Sequence, residues 1–187
     1  MAEERVQART SPIKLKRVSK LSLPMLAKAD FSITVRQEAL PPFEGPNIVN
    51  VQFVAPYEKK YPSDEALFEE AMANKRMIAT ANLSGDTLGY VAVSQAWNQC
   101  AEINEIMVSR AYRGAGLGRA LMDEAVSWAK KNGLAIVRLE TQTSNVSACR
   151  FYERYGFKLG GYDRHLYDAL RQSDRSETAL FWYLHLH

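Results

Sequence analysis

Residues 111–122 read AYRGAGLGRALM, and the three glycines between Arg113 and Arg119 constrain this chain more than any other stretch. Gly114, Gly116 and Gly118 can turn sharply and let backbone approach a ligand closely. Before them, AEINEIMVS (101–109) alternates like a half-buried strand. After them, Leu117, Leu121, Ala125 and Trp128 share one helical face, and Lys130, Lys131 and Gly133 close the helix. A strand that passes through exposed amides into a helix N-terminus makes an anion site, most often for phosphate. The ligands to weigh are a dinucleotide, a nucleoside triphosphate and a phosphate-bearing carrier such as coenzyme A.

Spacing separates them. Dinucleotide binding asks for G-x-G-x-x-G behind a buried apolar strand. Here the run is G-x-G-x-G, and the preceding strand carries Glu102 and Glu105. No Gly-Lys-Ser/Thr closes the run, so it is not a P-loop.

The rest of the chain reads as alternating elements. FSITVR (31–36) is expected as the first strand and NIVNVQFV (47–54) as the second, across a Pro- and Gly-rich loop. Residues 63–75 read as a helix, capped by Ser63, with i,i+4 pairs Leu67/Ala71 and Phe68/Met72. Residues 76–82 and 88–94 form a hairpin around LSGDT, and 101–109 continues an antiparallel meander. Residues 134–141 look like a buried strand, 144–156 like a short capped helix stopped at Gly156, and 177–186 like the last strand. This order predicts a mixed α/β, α+β-like domain rather than a uniform parallel one.

Charge is unevenly spread. Residues 1–30 hold seven Lys/Arg against three acids, whereas the remainder holds 17 against 18. The basicity therefore belongs to an expected flexible N-terminal extension (1–30), ahead of one domain over 31–187. That domain lacks the basic bias of a nucleic-acid binder. No run of eighteen apolar residues exists to span a membrane, and the N-terminus lacks the apolar stretch of a secretory signal. Cys100 and Cys149 give neither a metal-ligand spacing nor a disulfide framework, which suits a reducing cytoplasm. His165, His185 and His187 need no metal, and none is expected.

The segment INEIMVSRAYRGAGLGRALMDEAVSWA resembles the acetyl-CoA-binding region of the GCN5-related N-acetyltransferases: a strand, Arg/Gln-x-x-Gly-x-Gly/Ala, then a helix. Arg113, Gly116 and Gly118 occupy the key positions. LETQTSNVSACRFYERYGFKLGG matches the family's Asn, followed seven residues later by Tyr and then Gly-Phe. The match covers roughly 31–186 and is strongest from about 88 onward. RLETQTSNVSACRFYERYGFKLGGYDRHLY and ETALFWY are most similar to the streptothricin acetyltransferase branch. The resemblance implies a central mixed, mostly antiparallel sheet flanked by helices, acetyl-CoA as co-substrate, and a small cationic amine as acceptor. In that branch the acceptor is the β-lysine amine of streptothricin. Another amine (an aminoglycoside, a polyamine, a protein N-terminus) and a non-catalytic acetyl-CoA-binding module are the alternatives. A homodimer is common in such enzymes, although no exposed stripe in the sequence demands one.

Roles follow from the chemistry and the resemblance together. Backbone amides over Gly114, Ala115, Gly116, Leu117, Gly118 and Arg119 should meet the diphosphate, with charge from Arg113 and Arg119. The pantetheine arm is expected along Ile106, Met107 and Val108, touched by Asn145, which also reads as a helix cap. Tyr152 is the expected acid for the departing thiolate, with packing in an aromatic cluster as its alternative. Glu102, Glu105 and Glu140 are candidate bases or substrate-binding carboxylates. Strict alternation sets Glu102 with Ile106 and Val108 on one face and Glu105 on the other. Trp97, Tyr57 and Tyr61 are candidate substrate walls, since aromatic faces hold ammonium groups.

Overall fold

The apolar hairpin expected over 76–94 lies inside the sheet, one strand from its edge. In the computed structural model, which describes residues 13–62, 65–68, 75–169 and 177–186, β4 (Arg76–Leu83) and β5 (Asp86–Gln95) pair antiparallel. Around them lie β1 (Lys14–Val18), β6 (Ala101–Val108), β7 (Ile136–Gln142), β8 (Lys158–Asp163) and β9 (Ala179–His185). The sheet order is β1-β4-β5-β6-β7-β9-β8, and every neighbouring pair is antiparallel except β6 and β7. A separate two-stranded arm is built from β2 (Ile33–Leu40) and β3 (Asn50–Lys59).

Both faces of β5 are covered, which explains its nearly continuous apolar run. Val91 and Val93 join the main core, while Tyr90 and Ala92 join a second cluster with Leu21, Leu67 and Ile78. Onto the first face packs α2 (Leu117–Lys131), burying Leu117, Leu121, Met122, Ala125, Trp128 and Ala129. The expected apolar stripe is thus the buried one. Burying each such large side chain contributes about 1.5–3 kcal/mol before entropy is counted. The short α1 (Leu23–Leu26) precedes the arm, and α3 (Val146–Tyr155) connects β7 to β8.

Two irregularities open the sheet. Ala92 pairs with Glu105 but Val93 pairs with Ile103, so Asn104 is an extra residue in β6, a β-bulge. The bulge resets the alternation. Ile103, Ile106 and Val108 all face the main core, while Met107 and Glu105 face the second cluster with their partners Tyr90 and Ala92. Glu102, opposite Ser94, shares that second face. This corrects the strict alternation read from the sequence: Glu102 lies with Glu105, not with Ile106 and Val108. The second irregularity is that β6 and β7 pair over only three residues, Ala101↔Val137 to Ile103↔Leu139. Beyond them the strands are unpaired with each other.

Several elements differ from expectation. Lys14–Val18, assigned to the flexible extension, is an edge strand on β4, and Leu21 nearby is 1% exposed. Its alternation was hidden because four of its five residues are exposed and three are basic, as suits a guarded sheet edge. Arg17 ties it to Glu124 of α2 at 3.0 Å. Residues 1–12 lie outside the described residues. So does most of the expected helix 63–75, of which Glu65–Phe68 forms a 3-10 turn. The second expected strand is displaced to Asn50–Lys59. The strand β8 has no counterpart in the expected elements, and Gly160 and Gly161 interrupt its alternation. A Cβ on Gly160 would sit 2.5 Å from the Tyr183 ring, so the glycine makes room for that aromatic on the neighbouring strand. No helix of the described residues is long and apolar enough to cross a membrane.

Gly89 of β5 tests the close strand approach beside the bulge. A Cβ there would lie 2.6 Å from the Met107 carbonyl oxygen, an atom of the backbone that cannot swing away. Gly89→Ala is expected to destabilise the fold by about 1–3 kcal/mol, measured as a lower denaturant midpoint. An unchanged midpoint would contradict the packing described.

Candidate active site

Where β6 parts from β7, the edge of β6 borders a cleft of about 830 Å³. The glycine loop, the free edge of β6 at Ile106–Val108, the start of α3 and the β2–β3 arm enclose it. The glycine loop enters α2 through Gly114 and Gly116, at φ 78° and 86°. A side chain would strain either position. Gly116 is the N-cap, and no side chain caps the helix and no acid occupies its first turn. The amides over 114–119 consequently find no acceptor among the described residues. Free amides at a helix start suit an anion.

The two arginines flanking the loop are used differently. Arg113 donates from Nε to the Val108 carbonyl and from Nη2 to the Phe31 carbonyl, both at 3.1 Å. It therefore laces the loop to β6 and to the start of the arm; burial, then the nearby Arg110 charge, lowers its pKa. Arg119 sits over the Tyr155 ring at 5.3 Å, and Tyr155 donates to Asp123 at 2.6 Å. Gly114, Gly116, Gly118, Arg113 and Arg119 all line the cleft, as do Ile106, Met107 and Val108. Leu117 points into the core instead, at 3% exposed.

At the start of α3, Asn145 accepts from the Ala148 amide at 3.2 Å and also lines the cleft, so it is both cap and wall. Tyr152, seven residues and nearly two helical turns along, is 6% exposed and also reaches the cleft. Its ring packs against Phe151, Phe157 and Trp182 with centroids at 5.5, 5.8 and 6.2 Å. Packing residue and cleft residue are here the same residue. Burial raises its pKa, so it holds its proton at neutral pH.

The three candidate glutamates lie elsewhere. Glu102 pairs with Arg138 at 2.8 Å, Glu105 accepts from the Tyr90 hydroxyl at 2.7 Å, and Glu140 accepts from the Tyr167 hydroxyl. None of the three lines the cleft; among the described residues, no carboxylate does. Trp97 is 88% exposed in the β5–β6 connection and away from the cleft. Tyr57 donates to Glu38 at 3.3 Å and is not a wall either. Tyr61 is: it lines the cleft, and burial followed by the Glu177 charge raises its pKa. Among the described residues no group of His, Cys, Asp and Glu is placed to hold a metal.

A set of contacts with no local sequence signal holds the arm in place. Neighbouring residues of a strand point to opposite sides, and Glu58 and Lys59 use both. Glu58 accepts from Arg110 at 2.8 Å on the glycine-loop side. Lys59 meets Glu177 at 2.6 Å and Ser144 at 3.1 Å on the α3 side. Partners 52 and 118 residues apart leave no spacing to read.

The buried tyrosines give the site an alkaline signature. Burial raises the pKa of Tyr61, Tyr152, Tyr155 and Tyr167, and pushes the Cys149 thiol up to about 12. Each group holds its proton more tightly folded than unfolded. The stability they contribute is complete below about pH 8.5 and declines progressively as pH rises past about 10. The denaturant midpoint should fall across that range, less steeply in Tyr152→Phe. A midpoint that rises there would contradict the burial of these groups.

Residues 42–157 match the acetyltransferase (GNAT) family. A streptothricin acetyltransferase of Escherichia coli is 36% identical over 135 residues, 72% of this chain and 74% of that protein. The streptothricin acetyltransferase A of Bacillus subtilis (strain 168) is 34% identical over 71% of this chain and 75% of its own. A Bacillus anthracis structure, assigned as a streptothricin acetyltransferase and solved with acetyl coenzyme A, superimposes with TM-score 0.76. It is 29% identical and covers 95% of this chain and 99% of its own. With the glycine loop, the parted strands and the cleft between them, these matches settle the family. The chain belongs to the acetyltransferase (GNAT) family and is an acetyl-CoA-dependent N-acetyltransferase.

Proposed function

We propose that this chain acetylates the β-lysine amine of streptothricin, inactivating the antibiotic. The observation that carries the reading is a single cleft walled by free helix-start amides, an unpaired strand edge and the protonated Tyr152 phenol. The names of the Escherichia coli and Bacillus subtilis relatives support the choice of acceptor.

The diphosphate of acetyl-CoA meets the amides of 114–119, and the pantetheine arm runs along Ile106–Val108 as a strand would. Asn145, whose Oδ1 is committed to Ala148, offers its Nδ2 to the arm. The reacting amine is a cation in water, with a pKa near 10.4. Freeing its lone pair at neutral pH costs about 4–5 kcal/mol. Its nitrogen then attacks the thioester carbonyl, the C–S bond breaks, the thiolate takes a proton from Tyr152, and the Tyr152 oxygen regains one from the acylated nitrogen as the amide forms. Glu105 receives the ammonium proton through water, because it shares the face of cleft-lining Met107. Glu102 and Glu140 are held by Arg138 and Tyr167 and orient neighbouring elements.

The direct test is thiol release from acetyl-CoA with streptothricin, an aminoglycoside, spermidine and an N-terminal peptide in parallel. Turnover with streptothricin far above the others, with one acetyl group added by mass, is the expected result. Turnover only with another amine would discard the acceptor. Removing the donor in Tyr152→Phe should lower kcat by about 100-fold or more, with the KM for acetyl-CoA nearly unchanged. An unaltered kcat would remove Tyr152 from the mechanism.

A further inference from the structure

A carboxylate suits a cationic acceptor, and among the described residues none lines the cleft. Its charged lining residues are Arg36, Arg113, Arg119 and Arg154, which suit a polyphosphate and repel an ammonium. Glu58 and Asp123 stand behind the wall residues Thr34 and Tyr155, beside Arg110 and Arg119, whereas Glu177 is reached through two wall residues, Tyr61 and Ser144, on the α3 side. Ser144 donates to it directly. The same three groups already hold one ammonium. Lys59 Nζ lies 2.6 Å from both Glu177 oxygens, 3.1 Å from the Ser144 hydroxyl and 4.8 Å from the centroid of the Tyr61 ring. A carboxylate, a hydroxyl and an aromatic face around one nitrogen are what any primary ammonium requires.

We propose that Glu177, Ser144 and Tyr61 form the binding site for an ammonium group of the acceptor, and that Lys59 is its internal occupant until the acceptor displaces it. The inference rests on the reading of the acceptor as a cationic amine. The site adjoins the chemistry: Ser144 precedes the cap Asn145, and Tyr61 and Tyr152 line the same cleft. Lys59 and Glu177 are 18% and 20% exposed at their side chains, so exchange does not require opening the core. The displaced lysine, on the last residue of β3, swings on a flexible stem toward solvent. A polyamine with two ammonium groups then sets one in this site and presents another to the thioester.

The two halves of the ion pair make the idea testable, because the site predicts opposite signs for them. Binding of streptothricin and of spermidine to the CoA-saturated protein is measured by calorimetry in wild type, Lys59→Met and Glu177→Gln. Lys59→Met, which empties the site, should tighten binding by about threefold or more, and Glu177→Gln should weaken it by about tenfold. CoA affinity should stay within about twofold in both. If Lys59→Met does not fold, Lys59→Gln serves, with the same sign expected. Weakening in both variants, or no change in either, would overturn the site and leave the pair a structural tie. Opposite signs without turnover would keep the site and discard the reaction proposed above. No binding by wild type or either variant would overturn both.

Discussion

Parallel strands that share only three residue pairs leave the facing edges beyond them without partners, and every feature of the site depends on that parting of β6 from β7. Unpaired strand edges inside a protein are costly unless something completes them. Here one edge is presented at Ile106–Val108, on the wall of the cleft, where an extended pantetheine chain has the shape of the missing strand. The bulge at Asn104 prepares this geometry, since an extra residue bends its strand and raises its twist. It also turns Ile106 and Val108 toward the main core and leaves Met107 and Glu105 on the opposite face. The glycine loop follows directly, so the same strand leads from the unpaired edge to the free amides at the start of α2.

The cleft is divided by charge as well as by shape. Arginines gather around the glycine loop and along the wall, and no carboxylate competes with a diphosphate there. The negative charge that an ammonium needs stands behind Tyr61 and Ser144, held by Lys59. In the proposed reading, coenzyme and acceptor meet surfaces of opposite sign within one opening. Glu58 meets Arg110 and Lys59 meets Glu177 from opposite sides of the same strand, so the arm borders both surfaces. An exposed ion pair such as Glu58–Arg110 contributes little stability, about 0–1 kcal/mol, so its effect is on position.

What could be read from residues alone follows from how local each signal is. The hairpin 76–95, the glycine loop and the stripe of Leu117, Leu121, Ala125 and Trp128 are encoded within a few residues of one another, and all form as their patterns predict. Asn145 and Tyr152 are legible because a fixed spacing along one helix sets them on the cleft wall. The facing of Glu102 is not, since one inserted residue reverses the facing of a strand and no composition marks it. The edge strand at Lys14–Val18 hides its sheet membership behind basic residues that protect an edge. Lys59 and Glu177 come together only through folding, from the end of the arm and the start of the last strand. Residues that act across a cleft leave no mark in either segment.

The central claim is that acetyl-CoA fills the gap between β6 and β7 with its diphosphate on the glycine loop. A crystal structure of this protein with acetyl-CoA measures that placement directly. The account predicts diphosphate oxygens about 2.7–3.2 Å from amides within residues 114–119, backbone hydrogen bonds from the pantetheine to Ile106–Val108, and the thioester sulfur facing the Tyr152 hydroxyl. A diphosphate bound away from the loop, or a thioester on the far side of the sheet from Tyr152, would contradict it.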